Sequence, residues 1–316
     1  MKVLMNLKNL EMISSENLIK NRIMIVGSNG MLGQRFVEFY LEKENVELLA
    51  ASAEEDSFIK NVSYSQIDIA DKTSVKKVIY EFYPDFIINT AAYTNVDRCE
   101  FEKETAWKVN ALGPEYLAFF SMAVGAHLIH ISTDYIFDGS AGPYSETDKP
   151  NPINYYGRSK LAGENAVRSS RNDFTIIRTN VLYGPAKFGR PDFVKWVVEN
   201  LREKKEIKIV IDQINNPAYI DDLVGAMVKI VKYRKRGIFN IGGPEFLSRY
   251  DFTLRIADYF ELDKSLIKKI VTEDLKQPAP RPLKSGLITL IAETELSYKP
   301  RLIEETFFLM KKELEL

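Results

Sequence analysis

The sequence is poor in the residues on which many metal and proton-transfer sites depend. Its 316 residues include one cysteine, Cys99, and two histidines, His127 and His130. One cysteine excludes an internal disulfide and is typical of a reducing compartment, so we expect a cytoplasmic location. Two histidines leave little material for a zinc site, and we expect no bound metal. Proton transfer near neutral pH is therefore expected to depend on another residue type.

Long apolar runs and an excess of one charge are also missing. The 43 Lys and Arg nearly balance the 44 Asp and Glu, and 45% of residues are hydrophobic. A nucleic-acid binder would show a basic excess, and a disordered chain would be less apolar. No stretch reaches the roughly 18 apolar residues of a membrane helix. Residues 1–20 lack the features of a secretory signal, and we interpret them as an extension outside the fold. We expect neither nucleic acid nor a membrane as partner.

Apolar strand-like runs alternate with helical patterns through the first half of the chain. The strand-like runs are Arg22–Val26, Glu47–Ala51, Tyr64–Asp68, Phe86–Asn89, Ala126–Ser132 and Phe174–Arg178. The main helical patterns cover Met31–Glu42, Thr73–Phe82, Glu102–Val124 and Lys160–Arg168. Uninterrupted apolar strands between helices indicate a parallel sheet covered on both faces. The sequence therefore predicts an α/β fold with a Rossmann-like, doubly wound parallel sheet.

The alternation loosens beyond residue 180, where proline and glycine cluster in several loops. We predict a Rossmann domain over 21–180 that contributes the catalytic residues. A smaller, mainly substrate-binding part is predicted over 181–316, interleaved with that domain. Trp107 and Trp196 fall on helical patterns, which favours core positions for both.

A glycine-rich turn follows the first strand and opens the first helix. Gly27, Gly30 and Gly33 are spaced as G-x-x-G-x-x-G. Glycines here permit a tight exit from the strand, a close approach to a pyrophosphate and close helix–sheet packing. The helix N-terminus adds free N–H groups and a favourable dipole. The position predicts dinucleotide binding, although a turn without a ligand could have the same spacing.

The end of the second strand bears on the choice of cofactor. An acidic residue there would bind the ribose 2′-hydroxyl of NAD. The strand ends instead at Ser52, with Glu54, Glu55 and Asp56 slightly beyond. Ser52, with Arg35 nearby in the chain, is compatible with a 2′-phosphate. We therefore favour NADP(H), and NAD(H) remains the alternative.

A tyrosine with a lysine four residues later is a candidate acid–base pair. On a helix these positions share a face, so the ammonium can lie beside the phenol and lower its pKa from about 10. Two such pairs occur, Tyr156 with Lys160 and Tyr183 with Lys187. Gly184 and Pro185 break any helix between the second pair. Tyr156 is therefore the predicted proton donor.

Hydroxyl and carboxylate side chains follow the fifth strand. Ser132, Thr133 and Asp134 come at its end, which is the carboxyl edge of the predicted sheet. A hydroxyl there could orient a substrate carbonyl towards Tyr156. Taken alone, such a hydroxyl is more often a strand-end or helix-cap residue bonded to the backbone. In combination with the glycine turn and the Tyr156–Lys160 pair, it favours a catalytic site.

These motifs together resemble the extended short-chain dehydrogenase/reductases and, within them, the dTDP-4-dehydrorhamnose reductase family. The resemblance covers about residues 22–314 and includes Arg281-Pro282 with Ser285 and Leu287. The segments that carry it are Asn89–Asp97, Ser132–Gly139 and Tyr156–Glu164.

The resemblance implies a fold, a reaction and a set of site residues. Thr133, Tyr156 and Lys160 would form the catalytic triad, and Thr133, Asp134 and Arg281 would face the substrate. The residues implied for the cofactor, with Ser52 added from the strand-end argument, are Gly27, Asn29, Gly30, Met31, Leu32, Gly33, Ser52, Asp68, Ile69, Thr90, Ala91, Ala92, Tyr156 and Lys160. The implied reaction is the reduction of a 4-keto-deoxy sugar nucleotide by NAD(P)H, and homodimers are common in the resembled family.

One departure and two alternatives accompany this expectation. The family carries a tryptophan against the sugar after the sixth strand, and that position here is Val181. The pocket could therefore take another keto sugar. A nucleotide-sugar epimerase of the same fold remains an alternative, as does a non-catalytic regulatory subunit like that of methionine adenosyltransferase. A dehydratase is disfavoured because Tyr135 stands where its glutamate would be.

Overall fold

The computed structural model describes residues 20–171, 173–185 and 187–314. The predicted N-terminal extension, apart from Lys20, lies outside these residues. The strands among the described residues are β1 (Asn21–Val26), β2 (Val46–Ser52), β3 (Ser63–Gln66), β4 (Phe86–Asn89), β5 (His127–Thr133), β6 (Phe174–Thr179), β7 (Leu182–Tyr183), β8 (Ile207–Val210), β9 (Ile214–Asn215), β10 (Ala218–Tyr219), β11 (Gly237–Ile241), β12 (Leu247–Ser248) and β13 (Ile267–Ile270). The helices are α1 (Met31–Leu41), α2 (Lys72–Phe82), α3 (Val96–Phe101), α4 (Lys103–Trp107), α5 (Gly113–Val124), α6 (Tyr155–Ser169), α7 (Phe193–Arg202), α8 (Ile220–Tyr233), α9 (Arg249–Tyr259), α10 (Leu290–Leu296) and α11 (Ile303–Leu314).

The centre of the molecule is a seven-stranded sheet in the order β11-β6-β5-β4-β1-β2-β3. Every neighbouring pair in this sheet is parallel. The chain moves outwards from β1 to β3 and then returns to the other side of β1 at β4. Ligands of doubly wound sheets bind outside the carboxyl ends of the strands at such a reversal. The predicted fold class is confirmed, and the reversal lies between β1 and β4.

Both faces of the sheet are buried under helices. Ile23 and Ile25 of β1 belong to the core shared with α1 and α8, whereas Met24 and Val26 belong to the core shared with α2 and α5. Successive residues of a strand point to opposite faces, so a continuous apolar run is what a doubly covered strand requires. This explains why the strands were readable from the sequence.

The C-terminal part both completes the sheet and builds a separate apolar core. Strand β11 adds to the sheet edge beside β6, and α8 packs against α1. A separate core forms where α7, α9 and α11 meet, around Tyr183, Phe252 and Phe307. The chain after residue 180 thus contributes to the central sheet as well as forming an apolar core of its own.

Two helical predictions need correction. The expected helix over Glu102–Val124 is divided into α4, a π-helical turn over Lys108–Leu112 and α5. Pro114 lies at the start of α5 and has no N–H to continue the α-helical pattern. The other helix, expected over Lys160–Arg168, begins earlier, at Tyr155, because the Asn154 side chain caps it by accepting from the Gly157 N–H. Tyr156 is therefore on the helix rather than before it.

The two histidines and Trp107 differ in burial. His127 and His130 are both buried in β5 and hydrogen-bond with Thr175 and Asn89 respectively. Trp107 was expected in the core but is 40% exposed on α4. No helix among the described residues combines the length and apolarity required to cross a membrane.

Candidate active site

A cleft of about 610 Å³ opens at the carboxyl ends of the central strands, over the reversal between β1 and β4. Every residue predicted for the cofactor lines this cleft except Asn29. Thr133, Tyr156 and Lys160 lie in the same wall. One cleft thus gathers the glycine turn, the strand-end hydroxyls and the tyrosine–lysine pair from segments about 130 residues apart in the chain.

The glycine turn is shaped by close backbone contacts. Gly27 has φ +81°, and a Cβ there would lie 2.6 Å from the Ala91 backbone nitrogen. A Cβ at Gly33 would lie 2.1 Å from the Gly27 carbonyl oxygen, so α1 can start against the turn only with glycine. The Thr90 hydroxyl donates to the Val26 carbonyl at 2.9 Å and fixes β4 beside the turn. These contacts leave the start of α1 directed into the cleft.

Polar atoms in the cleft wall fit a dinucleotide. Ser132 Oγ, Thr179 Oγ1 and Asn180 Oδ1 are buried and have no hydrogen-bond partner among the described residues. All three residues line the cleft. A buried polar atom without a partner is costly, so such atoms in a cleft indicate a ligand that satisfies them. The glycine turn at the other end supplies the N–H groups that a pyrophosphate requires.

Two residues expected near the cofactor are directed elsewhere. The Asn29 side chain donates to Glu54 Oε2 at 3.1 Å and accepts from the Phe58 N–H, so it holds the loop after β2 rather than lining the cleft. Arg35 makes two 2.8 Å bonds to Asp221, which turn its guanidinium towards α8. Arg35 therefore gives no support to a 2′-phosphate.

A carboxylate lies close to the other residue of that argument, Ser52. Partial burial opposes ionisation of Glu54, but hydrogen bonds from Ser52, its own backbone and Asn29 lower the pKa of its carboxyl. Lys160 is the lone cation among the described residues that line the cleft. The described surroundings of Ser52 are therefore acidic rather than basic.

Tyr156 and Lys160 lie one turn apart on α6, both facing the cleft. Lys160 Nζ donates to the Ile131 carbonyl at 2.6 Å, and burial lowers the pKa of Lys160 to about 8. Burial raises the pKa of Tyr156 well above its usual value of 10, and a hydrogen bond with Thr133 opposes this rise. The expectation that Lys160 lowers the pKa of Tyr156 is thus wrong in this structure, because desolvation dominates. A phenol with a raised pKa holds its proton at neutral pH.

The second tyrosine–lysine pair is separated by the fold. Tyr183 is buried in the C-terminal core, where its hydroxyl lies 2.9 Å from Thr306 Oγ1. Lys187 is exposed and pairs with Glu38 at 2.8 Å. The exclusion of Tyr183 on helix-breaking grounds agrees with this geometry.

The strand-end acid lies beneath the cleft wall. Asp134 was expected to face the substrate, but it is 2% exposed and lines no described pocket of the site. Its carboxylate accepts from Thr133 Oγ1 at 3.0 Å and from the Ser285 hydroxyl. The short 3₁₀ turn over Asp134–Ile136 bends the chain at the strand end and carries this side chain inwards. Asp134 thus contacts Thr133 instead of the cleft.

A second pocket of about 510 Å³ adjoins the cleft, and Thr94 lines both. Its cationic lining residues are Arg190, Lys208, Arg249 and Arg281. Its aromatic lining residues are Tyr135, Phe193 and Trp196. Asp97 is the one carboxylate among its described lining residues. A pocket with this balance suits an anionic, partly aromatic ligand.

Arg249 is the most distinctive residue of this second pocket. Its guanidinium lies 4.5 Å from the centre of the Phe193 ring, and among the described residues no carboxylate is within 4.0 Å. Burial lowers the pKa of Arg249, which the nearby Tyr135 and Asp134 oppose. A partly buried arginine without a carboxylate partner is a ready binding group for phosphate.

The other residues predicted for the substrate side differ in whether they line a pocket. Arg281 lines the second pocket, where it bonds Asp97 at 2.9 Å. Val181 lines neither pocket, whereas Asn180 and Leu182 line the cleft. Trp196, expected in the core, is 36% exposed and lines the second pocket, stacked on Phe193.

Comparison with known families decides what this site belongs to. The family described as "RmlD substrate binding domain" matches residues 21–315. A dTDP-4-dehydrorhamnose reductase from Aggregatibacter actinomycetemcomitans is 33% identical over 281 residues, which cover 84% of this chain and 90% of that protein. The chain belongs to this family.

Solved structures of the family share the fold over nearly the whole chain. A dTDP-4-dehydrorhamnose reductase from Bacillus anthracis, solved in complex with NADP, superposes with a TM-score of 0.83 at 33% identity. The match covers 93% of this chain and 100% of that one. The family's relatives do not all carry reductase names, because the methionine adenosyltransferase 2 subunit beta of Xenopus tropicalis is 31% identical over 268 residues, 83% of this chain and 78% of that protein.

Sequence reasoning predicted Arg281 but missed the other residues that the second pocket draws from scattered segments. Arg249 begins α9 and Trp196 lies on α7, with about fifty residues between them. Neither sits in a motif with fixed spacing. The available signal was weak: an aromatic pair, Phe193 and Trp196, three apart on a helix that was assigned to the core.

Proposed function

We propose that this chain reduces the keto group of a 4-keto-deoxy sugar nucleotide with NADPH or NADH, as the names of its relatives suggest. The observation that carries the proposal is the meeting of Tyr156, Thr133 and Lys160 in the wall of the cleft that contains the glycine turn, next to a cationic and aromatic second pocket. When bound, the nicotinamide cofactor supplies a hydride to the carbonyl carbon of the substrate.

Tyr156 supplies the proton. As the carbonyl carbon is reduced, negative charge develops on its oxygen, and a phenol that is still protonated at neutral pH can donate to it. Lys160, with a pKa of about 8, is mostly a cation at neutral pH and would bind the cofactor beside Tyr156. The Thr133 hydroxyl, in the same wall, orients the carbonyl oxygen.

The second pocket is where we place the nucleotide. Arg249 would bind the diphosphate, and the stacked Phe193 and Trp196 rings would offer a face to the base. Arg281, whose charge is balanced by Asp97, would contact the sugar from the loop that leads to Ser285. A homodimer and a cytoplasmic location, both expected above, stay predictions.

The test is the substitution Tyr156→Phe, assayed with a panel of 4-keto sugar nucleotides. The loss of NADPH absorbance measures turnover. We expect turnover to fall by about 100- to 10,000-fold, the range that general acid catalysis contributes, while cofactor affinity is retained. Tyr183→Phe, which removes a hydroxyl from the distant core, is the matched control and should keep turnover. Activity retained in Tyr156→Phe would disprove the assignment. Conversion without net NADPH consumption would identify an epimerase instead.

A further inference from the structure

Asp134 is a buried carboxyl surrounded by hydroxyl groups. It is 2% exposed, and its two oxygens accept from Thr133 and from Ser285, which is itself 2% exposed. Among the described residues, no lysine, arginine or histidine is within 4.0 Å of it. A buried carboxylate is normally paired with a cation, because burial without one is costly. The surroundings of Asp134, two hydroxyl groups and no cation, therefore favour the neutral form of its carboxyl group.

The Thr133 hydroxyl has one proton, and its direction matters for the proposed reaction. In the structure that proton points to Asp134, while the Thr133 oxygen accepts from the Tyr135 N–H at 3.2 Å. A hydroxyl can donate once and accept twice. With its one proton given to a carboxylate, Thr133 has none for a substrate oxygen in the cleft.

A neutral Asp134 removes this conflict. The carboxylic acid can donate its own proton to Thr133 Oγ1, which then accepts from both Asp134 and the Tyr135 N–H. The Thr133 O–H bond can then turn towards the cleft, where Tyr156 also lies. No proton is gained or lost by the substrate in this rearrangement.

We propose that Asp134 is a positioning residue whose neutral carboxyl turns the Thr133 hydroxyl proton towards the substrate carbonyl oxygen. Ser285 holds the other carboxyl oxygen, so the loop around Arg281 and Ser285 is tied to the same arrangement. The inference rests on the proposed reductase function for its kinetic consequence but not for the protonation of Asp134 itself.

The surroundings of Asp134 place its ionisation near neutral pH. Burial raises the pKa of Asp134 to about 7, opposed by hydrogen bonds from Ser285 and Thr133 and by the charge of Arg249. The titratable groups that face it from its neighbouring segments are Tyr135 and Tyr156, both with raised pKa values and so neutral here, and Arg249. Asp134 is therefore the group of this set that changes charge near pH 7.

The first experiment is the pH dependence of kcat/KM for the wild type and Asp134→Asn. In the wild type, kcat/KM should fall as pH rises through about 7, because Asp134 then loses its proton to solvent and the Thr133 hydroxyl turns back to donate to the carboxylate. The asparagine amide donates to Thr133 at every pH, so the fall should move up by about one unit, to the range where Lys160 loses its charge. Ser285→Ala should also move it upwards, because Ser285 stabilises the carboxylate. A fall that stays near pH 7 in Asp134→Asn would overturn the proposal.

The second experiment needs no substrate. Because the folded pKa of Asp134 lies above its unfolded value of about 4, its stabilising contribution is full below pH 4 and is lost as pH rises to about 7. The denaturation midpoint of Asp134→Asn, relative to that of the wild type, should therefore rise between pH 4 and 7. Above pH 7 the difference between the two midpoints should be constant. A midpoint difference that is constant across this range would overturn the neutral carboxyl.

Asp138→Asn is the matched control from the same segment. Hydrogen bonds from Ser140, Asn151 and Tyr144 lower the pKa of Asp138, so its contribution is already complete above pH 5. Its midpoint difference from the wild type should be constant between pH 5 and 7, where that of Asp134→Asn changes. If the wild type reduces none of the sugar nucleotides tested, the proposed function fails, and the midpoints still decide the state of Asp134.

Discussion

The cofactor cleft and the second pocket are neighbours that depend on the sequence in different ways. The cleft is built from strand ends and one turn, where close backbone contacts at Gly27 and Gly33 set the shape. The second pocket is built from side chains of α7, α9 and the loop at Arg281, which meet only after the chain has folded. Backbone shape restricts residue choice over short spans, whereas a cluster of side chains from distant segments leaves no local pattern.

The largest effect should come from the backbone contact in the cleft. Gly33→Ala places a Cβ 2.1 Å from the Gly27 carbonyl oxygen, and that backbone atom cannot rotate away. Overpacking of this kind costs about 3 kcal/mol at its upper range, which corresponds to roughly 100-fold weaker cofactor binding if the strain falls on the turn. Titration of NADPH, followed by fluorescence, measures it.

Gly225→Ala is the control for that substitution. Gly225 is inside α8, and a Cβ there meets nothing within 4 Å. The change should stabilise the chain by about 0.4–1 kcal/mol, since alanine loses less entropy on folding. Equal effects at Gly33 and Gly225 would show that backbone shape does not limit the cleft.

A smaller effect, confined to the other region, is expected at Arg249. Arg249→Gln removes the cation that we assign to the diphosphate, and a hydrogen bond to a charged group contributes about 2 kcal/mol, or roughly 30-fold. The KM for the sugar nucleotide should rise by this factor while the Kd for NADPH is unchanged. Steady-state kinetics and cofactor titration separate the two.

Arg255→Gln provides the comparison from the same helix. Arg255 bonds Glu245 and Glu304 at the surface and lines neither pocket. Arg255→Gln should leave the KM for the sugar nucleotide and the Kd for NADPH within about twofold of the wild-type values, as is usual for surface ion pairs. If NADPH affinity fell with Arg249→Gln, the two pockets could not be treated as separate binding regions.

The same contrast explains what the sequence could predict. The parallel sheet was readable because strands such as Phe86–Asn89 are apolar throughout, and Tyr156 and Lys160 were readable because four residues make one helical turn. Burial was harder, since Trp196 has the spacing of a core residue yet is at the pocket wall. The inward direction of the Asp134 side chain could not be predicted, because it depends on one bend of the backbone at the end of β5.

The acidic surroundings of Ser52 give a third, smaller effect. Glu54→Gln removes a carboxylate held beside Ser52, so repulsion of a 2′-phosphate should decrease. We expect the preference for NADPH over NADH to rise by about fivefold, in keeping with about 1 kcal/mol for an exposed charge. The ratio of the two dissociation constants measures this.

Glu55→Gln is the adjacent control, because Glu55 carries the same charge. We expect its ratio of dissociation constants to stay within about twofold of the wild type, since screening by water weakens exposed charges. A shift as large as that of Glu54→Gln would mean that the general charge of the loop, rather than the position beside Ser52, sets the preference.

The smallest effect tests the boundary between the two regions. Arg35 follows the glycine turn in the chain, but its guanidinium bonds Asp221 of α8 and Glu313 of α11. Arg35→Gln should therefore lower the free energy of unfolding by about 1 kcal/mol, the upper range for a partly exposed ion pair, and leave the Kd for NADPH within twofold. Urea denaturation and cofactor titration measure the two, and Arg35→Lys, which keeps the charge, should fall between. If Arg35→Gln instead weakened the binding of NADPH and left that of NADH unchanged, Arg35 would contact the 2′-phosphate after all. The cleft would then depend on a side chain from outside its wall as well as on short-range backbone contacts.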